Sequence, residues 1–208
     1  TGSGKSTLIN LIPRFYDVTE GSITIDGVDI RSLSLSELRR TIGYVPQKGM
    51  LFSGDIADNL RYGDENATDA DLAKAARIAQ AQEFIDSKPE GYAATISQGG
   101  TNVSGGQRQR LSIARALVKK APVYIFDDSF SALDFKTDAA LRHALRGATE
   151  HASVLIVAQR ISTIMNAQQI SGLAEGRIVG CGTPKALLRS CDTYREIALS
   201  QLAEEELQ

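Results

Sequence analysis

Hydrophobic positions along the chain change period several times, and short turn clusters separate the blocks. Residues from Lys5 to about Phe15 predict a helix, with Pro13 placed to end or kink its last turn. Gly21 to Ile30 predicts a short hairpin around Asp26-Gly27, a dipeptide that favours a tight turn. Ser34-Leu35-Ser36-Glu37 predicts a capping box at the start of a short helix, and Thr41 to Val45 predicts a strand closed by Pro46. From about Ser53 to Val118 the strand signal disappears. There, Thr68-Asp69-Ala70-Asp71 opens an alanine-rich helix, a second helical piece ends near Pro89-Glu90-Gly91, and a Gly-rich loop leads into a helix starting at Ser104. Strand Pro122 to Asp127, helix Asp134 to about Thr149, strand Ser153 to Ala158, a hairpin around Glu175-Gly176 and two C-terminal helices complete the pattern. Alternation of this kind predicts an α/β fold: a mainly parallel sheet flanked by helices, plus a small antiparallel β element. Residues 1–52 and 119–208 are expected to form the α/β core, and residues 53–118 a helical subdomain inserted in it.

Composition narrows the class. A chain of 208 residues with 42% hydrophobic positions is long enough to bury a substantial core yet short for two domains. No apolar run approaches the roughly 18 to 20 residues that span a bilayer, so a membrane role is expected only through a partner or a preceding segment. The net charge of −2 supplies no global field for nucleic acid. Arg108, Arg110 and Arg115 recur at helix spacing among apolar residues and read as one solvated or phosphate-near face. Cys181 and Cys191 stand alone, without a CxxC pair or a neighbouring His, and read as reduced thiols. His143 in a helix and His151 before a strand read as surface residues.

Candidate chemistry sits in the loops. Thr1-Gly2-Ser3-Gly4-Lys5-Ser6-Thr7 supplies the end of a P-loop, Gly-x-x-x-x-Gly-Lys-[Ser/Thr], whose leading glycine falls before Thr1. The chain is therefore expected to be part of a longer polypeptide, with a strand preceding the loop. Backbone N–H groups from Gly2 to Ser6 can close around a phosphate, Lys5 can reach the β- and γ-phosphates, and the Ser6 hydroxyl can ligate Mg²⁺. An ordinary Gly/Ser turn before a helix is the plainer reading of the segment taken alone. Val123 to Phe126 is a buried-strand run that delivers Asp127 at its C-terminal end, where open α/β sheets place their ligands.

Asn102-Val103-Ser104-Gly105-Gly106-Gln107-Arg108-Gln109-Arg110 adds a Ser-Gly-Gly-Gln run between the two. With these motifs in order, the chain resembles the nucleotide-binding domain of ATP-binding cassette (ABC) transporters over essentially all its residues. The likeness is closest to the exporter type, and within it to one subunit of a heterodimeric pair. The resemblance implies ATP and Mg²⁺ as cofactors, with Asp127 as the Walker B aspartate and Gln47 as the Q-loop glutamine near Mg²⁺ and the attacking water. It implies that Ser104, Gly105, Gly106 and Gln107 form the signature that acts on the nucleotide of an opposing domain, with Val103 replacing the commoner leucine. Ser131-Ala132-Leu133-Asp134 matches the D-loop that crosses between domains. The segment Leu51 to Leu60 and the loop Ser97 to Thr101 resemble exporter segments that meet membrane-domain helices, which places the domain at the cytoplasmic face of the plasma membrane.

Two positions depart from the family pattern. Asp128 stands where a glutamate normally polarises the attacking water, and Gln159 stands where the switch histidine should follow the strand Val154 to Ala158. A carboxylate one methylene shorter must still come within about 2.6–3.2 Å of the water, and losing such a base typically removes about 10² to 10⁴ in rate. Gln159 can hydrogen-bond but cannot become cationic. The expectation is a slow, degenerate site on this chain whose intact signature completes a competent site on a different partner. A homodimer in which Asp128 acts as a weak base, and a soluble cassette without a transport role, are the alternatives.

Overall fold

Gly4 turns the chain through a left-handed conformation (φ 86°), and helix α1 (Lys5–Asn10) starts directly beyond it. The computed structural model describes residues 2–202. They divide into two units, Thr1–Arg31 with Ile156–Gln208 and Ser32–Leu155. In the first unit α1 stops earlier than the expected end near Phe15. Pro13 lacks the N–H to continue it, and the chain reverses at Arg14 (φ 52°), whose guanidinium is held by Asp17 at 2.7 Å and by the Ile30 carbonyl at 3.3 Å. Strands β1 (Thr24–Ile25) and β2 (Val28–Asp29) form the expected hairpin. Its turn residues Asp26 and Gly27 both have positive φ, 50° and 79°, as a two-residue turn matched to strand twist requires.

The second unit follows. Helix α2 (Leu35–Arg40) opens with a complete capping box between Ser34 and Glu37, and β3 (Ile42–Val45) leaves it. Next come β4 (Gly54–Asp55), α3 (Ile56–Arg61), α4 (Asp69–Ile78), α5 (Gln82–Asp86), β5 (Thr95–Ile96) and α6 (Gly105–Val118). The unit continues through β6 (Val123–Asp127) and α7 (Phe135–Ala148) into β7 (Ser153–Val157), whose last two residues, Ile156 and Val157, are counted with the first unit. The sheet order is β3-β6-β7, with β3 and β6 parallel in the register Ile42↔Val123 to Val45↔Phe126. Val45, Ile125 and Phe126 are fully buried, which explains the near-continuous apolar runs in these strands. Thr68 and Asp71 close a second capping box on α4, at the helix start the sequence predicts.

One departure lies in the helical stretch. β4 and β5 pair antiparallel, Gly54 with Ile96 and Asp55 with Thr95. Two residues are too few for an alternating pattern to register in sequence. Behind β4, Asn59 is wholly buried and serves as a side-chain brace: its Oδ1 accepts from the Phe52 N–H at 2.9 Å and from Arg115 Nη2 at 3.0 Å. Its Nδ2 donates to the carbonyls of Phe52 and Asp55, both at 2.9 Å. Arg115 also stacks over the Phe52 ring at 5.1 Å.

The remainder of the first unit holds α8 (Ile161–Ile164), the hairpin β8 (Ile170–Ala174) with β9 (Arg177–Gly182), α9 (Pro184–Ser190) and α10 (Asp192–Gln201). Glu175 and Gly176 make its turn with positive φ, and Thr183 caps α9 with Pro184 at its first position. Ile161, Ile170, Leu187, Cys191, Tyr194 and Ala198 form its core. Cys191 is buried there and Cys181 is exposed, both as free thiols. Among the described residues no helix is long and apolar enough to cross a membrane.

Candidate functional site

In the first unit the loop before α1 is built for close approach by a ligand. Thr1 lies outside the described residues. Gly2 and Gly4 adopt φ of 85° and 86°, so a side chain at either would be strained. A Cβ at Gly2 would meet nothing within 4 Å, which leaves the backbone face of the loop open. No side chain caps α1, and Ser6 and Thr7 lie in its first turn. Lys5 Nζ donates to Ser3 Oγ at 2.9 Å, folding the ammonium back over the loop. Alternating left-handed glycines, an uncapped helix start and a lysine in reach are the donor set a polyphosphate needs. Gln159 follows β7 in the same unit. Gln201, which the sequence did not single out, spans its turn: Gln201 Nε2 donates to the Gln159 carbonyl at 2.9 Å, and the Ile161 N–H donates to Gln201 Oε1 at 2.8 Å. His143 and His151 are both exposed.

The second unit brings four of the expected motifs onto one framework. Because Val45 pairs with Phe126, the residues two beyond each leave the sheet side by side. Gln47 Nε2 donates to Asp128 Oδ2 at 3.2 Å as a result. Asp127 and Asp128 are 5% and 7% exposed. Asp128 sits at φ 46°, a region Asp tolerates better than most side chains. Ser129, which the sequence did not single out, and Ser131 of the D-loop fix this turn. Ser129 Oγ donates to the Val45 carbonyl at 3.0 Å and Ser131 Oγ to the Asp128 carbonyl at 2.9 Å. Burial, and secondarily the negative charge of Asp127, pushes the Tyr44 phenol up to about 12.

Ser104 caps α6 through a reciprocal pair: the Gln107 N–H donates to Ser104 Oγ at 3.2 Å and the Ser104 N–H donates to Gln107 Oε1 at 2.9 Å. Ser104 and Gly105 are exposed, whereas Val103 turns into the core. The start of α6 lies beside the D-loop. A Cβ at Gly106 would stand 3.5 Å from the Ala132 carbonyl and 3.9 Å from Leu133 Cδ2. Asp134 caps α7 by accepting from the Thr137 N–H at 2.9 Å, so the D-loop is anchored at its far end.

A phosphate-type loop, a paired Gln–Asp turn at the sheet's carboxyl end and a capped Gly-Gly helix start define an ATP-binding domain of the P-loop class. Residues 1–131 match the family model described as ABC transporter, and the chain belongs to that family. An uncharacterized ABC transporter ATP-binding protein of Mycobacterium bovis is 48% identical over 97% of this chain, covering 35% of that protein. An ATP-dependent lipid A-core flippase of Syntrophus aciditrophicus is 44% identical over 100% of this chain and 34% of its own length. The structure of a bacterial Atm1-family ABC exporter with ATP bound superimposes with a TM-score of 0.94 at 39% identity, over 98% of this chain and 36% of that one. The chain thus spans about a third of the length of these relatives.

Proposed function

We propose that the chain is the ATP-hydrolysing domain of a membrane exporter, that its own site is slow, and that its signature completes a competent site on a different partner domain. A membrane domain fused upstream would place it at the cytoplasmic face of the plasma membrane. The likeness to flippase and exporter chains supports transport over a soluble cassette. Within the chain, residues 53–118 would act as the helical subdomain and residues 1–52 with 119–208 as the core.

The observation that carries the divided-site reading is the Gln47–Asp128 contact at 3.2 Å. A short carboxylate already engaged by an amide is a poor general base, while Lys5, Asp127 and Ser104 to Gln107 are intact. In this reading Gly2 to Thr7, together with Thr1, cradle the phosphates, and Lys5 neutralises their charge. Ser6, Gln47 and Asp127 would hold Mg²⁺, which supplies charge stabilisation to the transferred phosphoryl group. These three side chains would share the ion with phosphate oxygens of the nucleotide. Asp128 orients water weakly, Gln159 donates a neutral hydrogen bond toward the γ-phosphate, and Ser131, Ala132, Leu133 and Asp134 face the partner.

The test compares two variants of the full-length protein with its partner, in membrane vesicles at saturating ATP. Asp128→Asn should lower turnover less than about tenfold, whereas Ser104→Arg should lower it by about a hundredfold or more, because bulk replaces a phosphate contact. If Asp128→Asn matches the loss from mutating the partner's glutamate and Ser104→Arg is harmless, Asp128 is a principal base and the homodimer reading replaces this one.

A further inference from the structure

The helix that carries the signature also grips the loop that carries Gln47. Gln109, on α6, is 2% exposed and uses both ends of its amide on that loop. The Gly49 N–H donates to Gln109 Oε1 at 2.9 Å, and Gln109 Nε2 donates to the Pro46 carbonyl at 3.2 Å. These two backbone groups flank Gln47 and Lys48, so one side chain holds the loop by both shoulders. The approach leaves no room for a side chain at position 49. A Cβ on Gly49 would lie 2.7 Å from Ser112 Oγ, 3.0 Å from Gln109 Oε1 and 3.1 Å from the Arg108 carbonyl.

Gln109 lies five residues beyond Ser104, about one and a half turns along a helix locked at its start by the Ser104–Gln107 capping box. A displacement of the Ser104 turn therefore moves Gln109, and the two hydrogen bonds carry it to the segment on which Gln47 reaches Asp128. Only an amide fits this role, because the loop presents one N–H and one C=O and Gln supplies one acceptor and one donor.

We infer that Gln109 is a positioning residue that couples the signature turn, which serves the partner's nucleotide, to the Gln47–Asp128 contact at this chain's own nucleotide. The inference rests on the divided-site reading of Ser104 and Gln47 given above. If Gln109 merely filled a buried polar gap, its loss would lower stability without any special relation to Gln47.

A double-mutant cycle in the full-length protein with its partner separates the two. The readout is the release rate of photo-crosslinkable azido-ATP from this chain, alongside thermal unfolding of each variant. Gln47→Ala and Gln109→Ala should each speed release about tenfold, the worth of roughly one net hydrogen bond, and the double variant should release no faster than Gln47→Ala alone. Gln109→Glu keeps the acceptor for Gly49 and loses the donor to Pro46, so it should fall between wild type and Gln109→Ala. It also serves as the isosteric variant should Gln109→Ala not fold. Effects that multiply in the double variant would overturn the role of Gln109 alone. Unchanged release in Gln47→Ala would overturn the site reading and this inference with it.

Discussion

Replacing Asn59 by Ala should cost the chain a large part of its stability, through hydrogen bonding and with almost no change in apolar burial. Asn59 is fully buried, and its amide serves three backbone groups and one guanidinium N–H, at 2.9 to 3.0 Å. Truncation orphans the Phe52 N–H, the Phe52 and Asp55 carbonyls and Arg115 Nη2. Each orphaned buried group costs about 1–3 kcal/mol, but Phe52 is 37% exposed, so water reaches part of the gap. Two effective orphans give a loss of about 3 kcal/mol, against a total of about 5–15 kcal/mol for a domain of this kind. Burial already pushes the Arg115 guanidinium down to about 10, and removing one of its acceptors makes its charge costlier to keep inside. Arg115→Met in the Asn59→Ala background should therefore cost less than in the wild type, with a coupling of about 1–2 kcal/mol. Urea unfolding followed by far-ultraviolet circular dichroism suits a chain without tryptophan. A loss below about 1 kcal/mol, or strict additivity with Arg115→Met, would refute the brace, since both require that these groups find water or each other without penalty.

Lys5→Ala should weaken ATP binding by roughly ten- to a hundredfold in equilibrium titration, the worth of one charge-assisted hydrogen bond, and unchanged affinity would reject the phosphate loop. Tyr44 gives a pH prediction with a fixed sign. Its folded pKa is raised to about 12, so the folded state holds the proton longer; stability is fully present below about pH 10 and falls as pH rises toward 12. Tyr44→Phe should flatten that alkaline decline in thermal melts, and an equally steep decline in the variant would assign it to other groups.

The sequence displayed the fold wherever a local rule was strong enough to be read alone. The capping box at Ser34 forms as its residues predict, the helices expected to open at Thr68 and Ser104 do so with boxes of their own, and the Asp26-Gly27 turn adopts the positive φ angles that its composition favours. Loops were legible as motifs but not as geometry. Gln47 and Asp128 stand 81 residues apart in the chain, and only the parallel register of β3 with β6 puts one against the other. Gln109, Asn59 and Ser129 escaped notice for the same reason: a buried polar residue inside an apolar helix or turn looks unremarkable until its backbone partners are known. The β4–β5 pair was hidden by brevity. Gln201 was hidden by distance, lying 42 residues from the Gln159 carbonyl it holds.

Among the described residues six non-glycine residues adopt positive φ, and five of them, Arg14, Asp26, Gln80, Lys120 and Glu175, sit in turns where water reaches the side chain. Asp128 is different. It is buried and follows directly on a buried strand whose last residue, Asp127, is buried as well. Left-handed backbone costs energy for a residue with a side chain. Nothing in the folding of β6 requires this conformation at Asp128, since the turn could be made by glycine. The neighbouring loop adds its own expense, with Gly49 pressed against α6 and Gln109 held to a single rotational choice. Local rules are broken together at one end of one sheet, and chains break them where a ligand or a reaction repays the cost. That convergence marks the Gln47–Asp128 turn, to which Gln109 fastens α6, as the place where the proposed chemistry is to be tested.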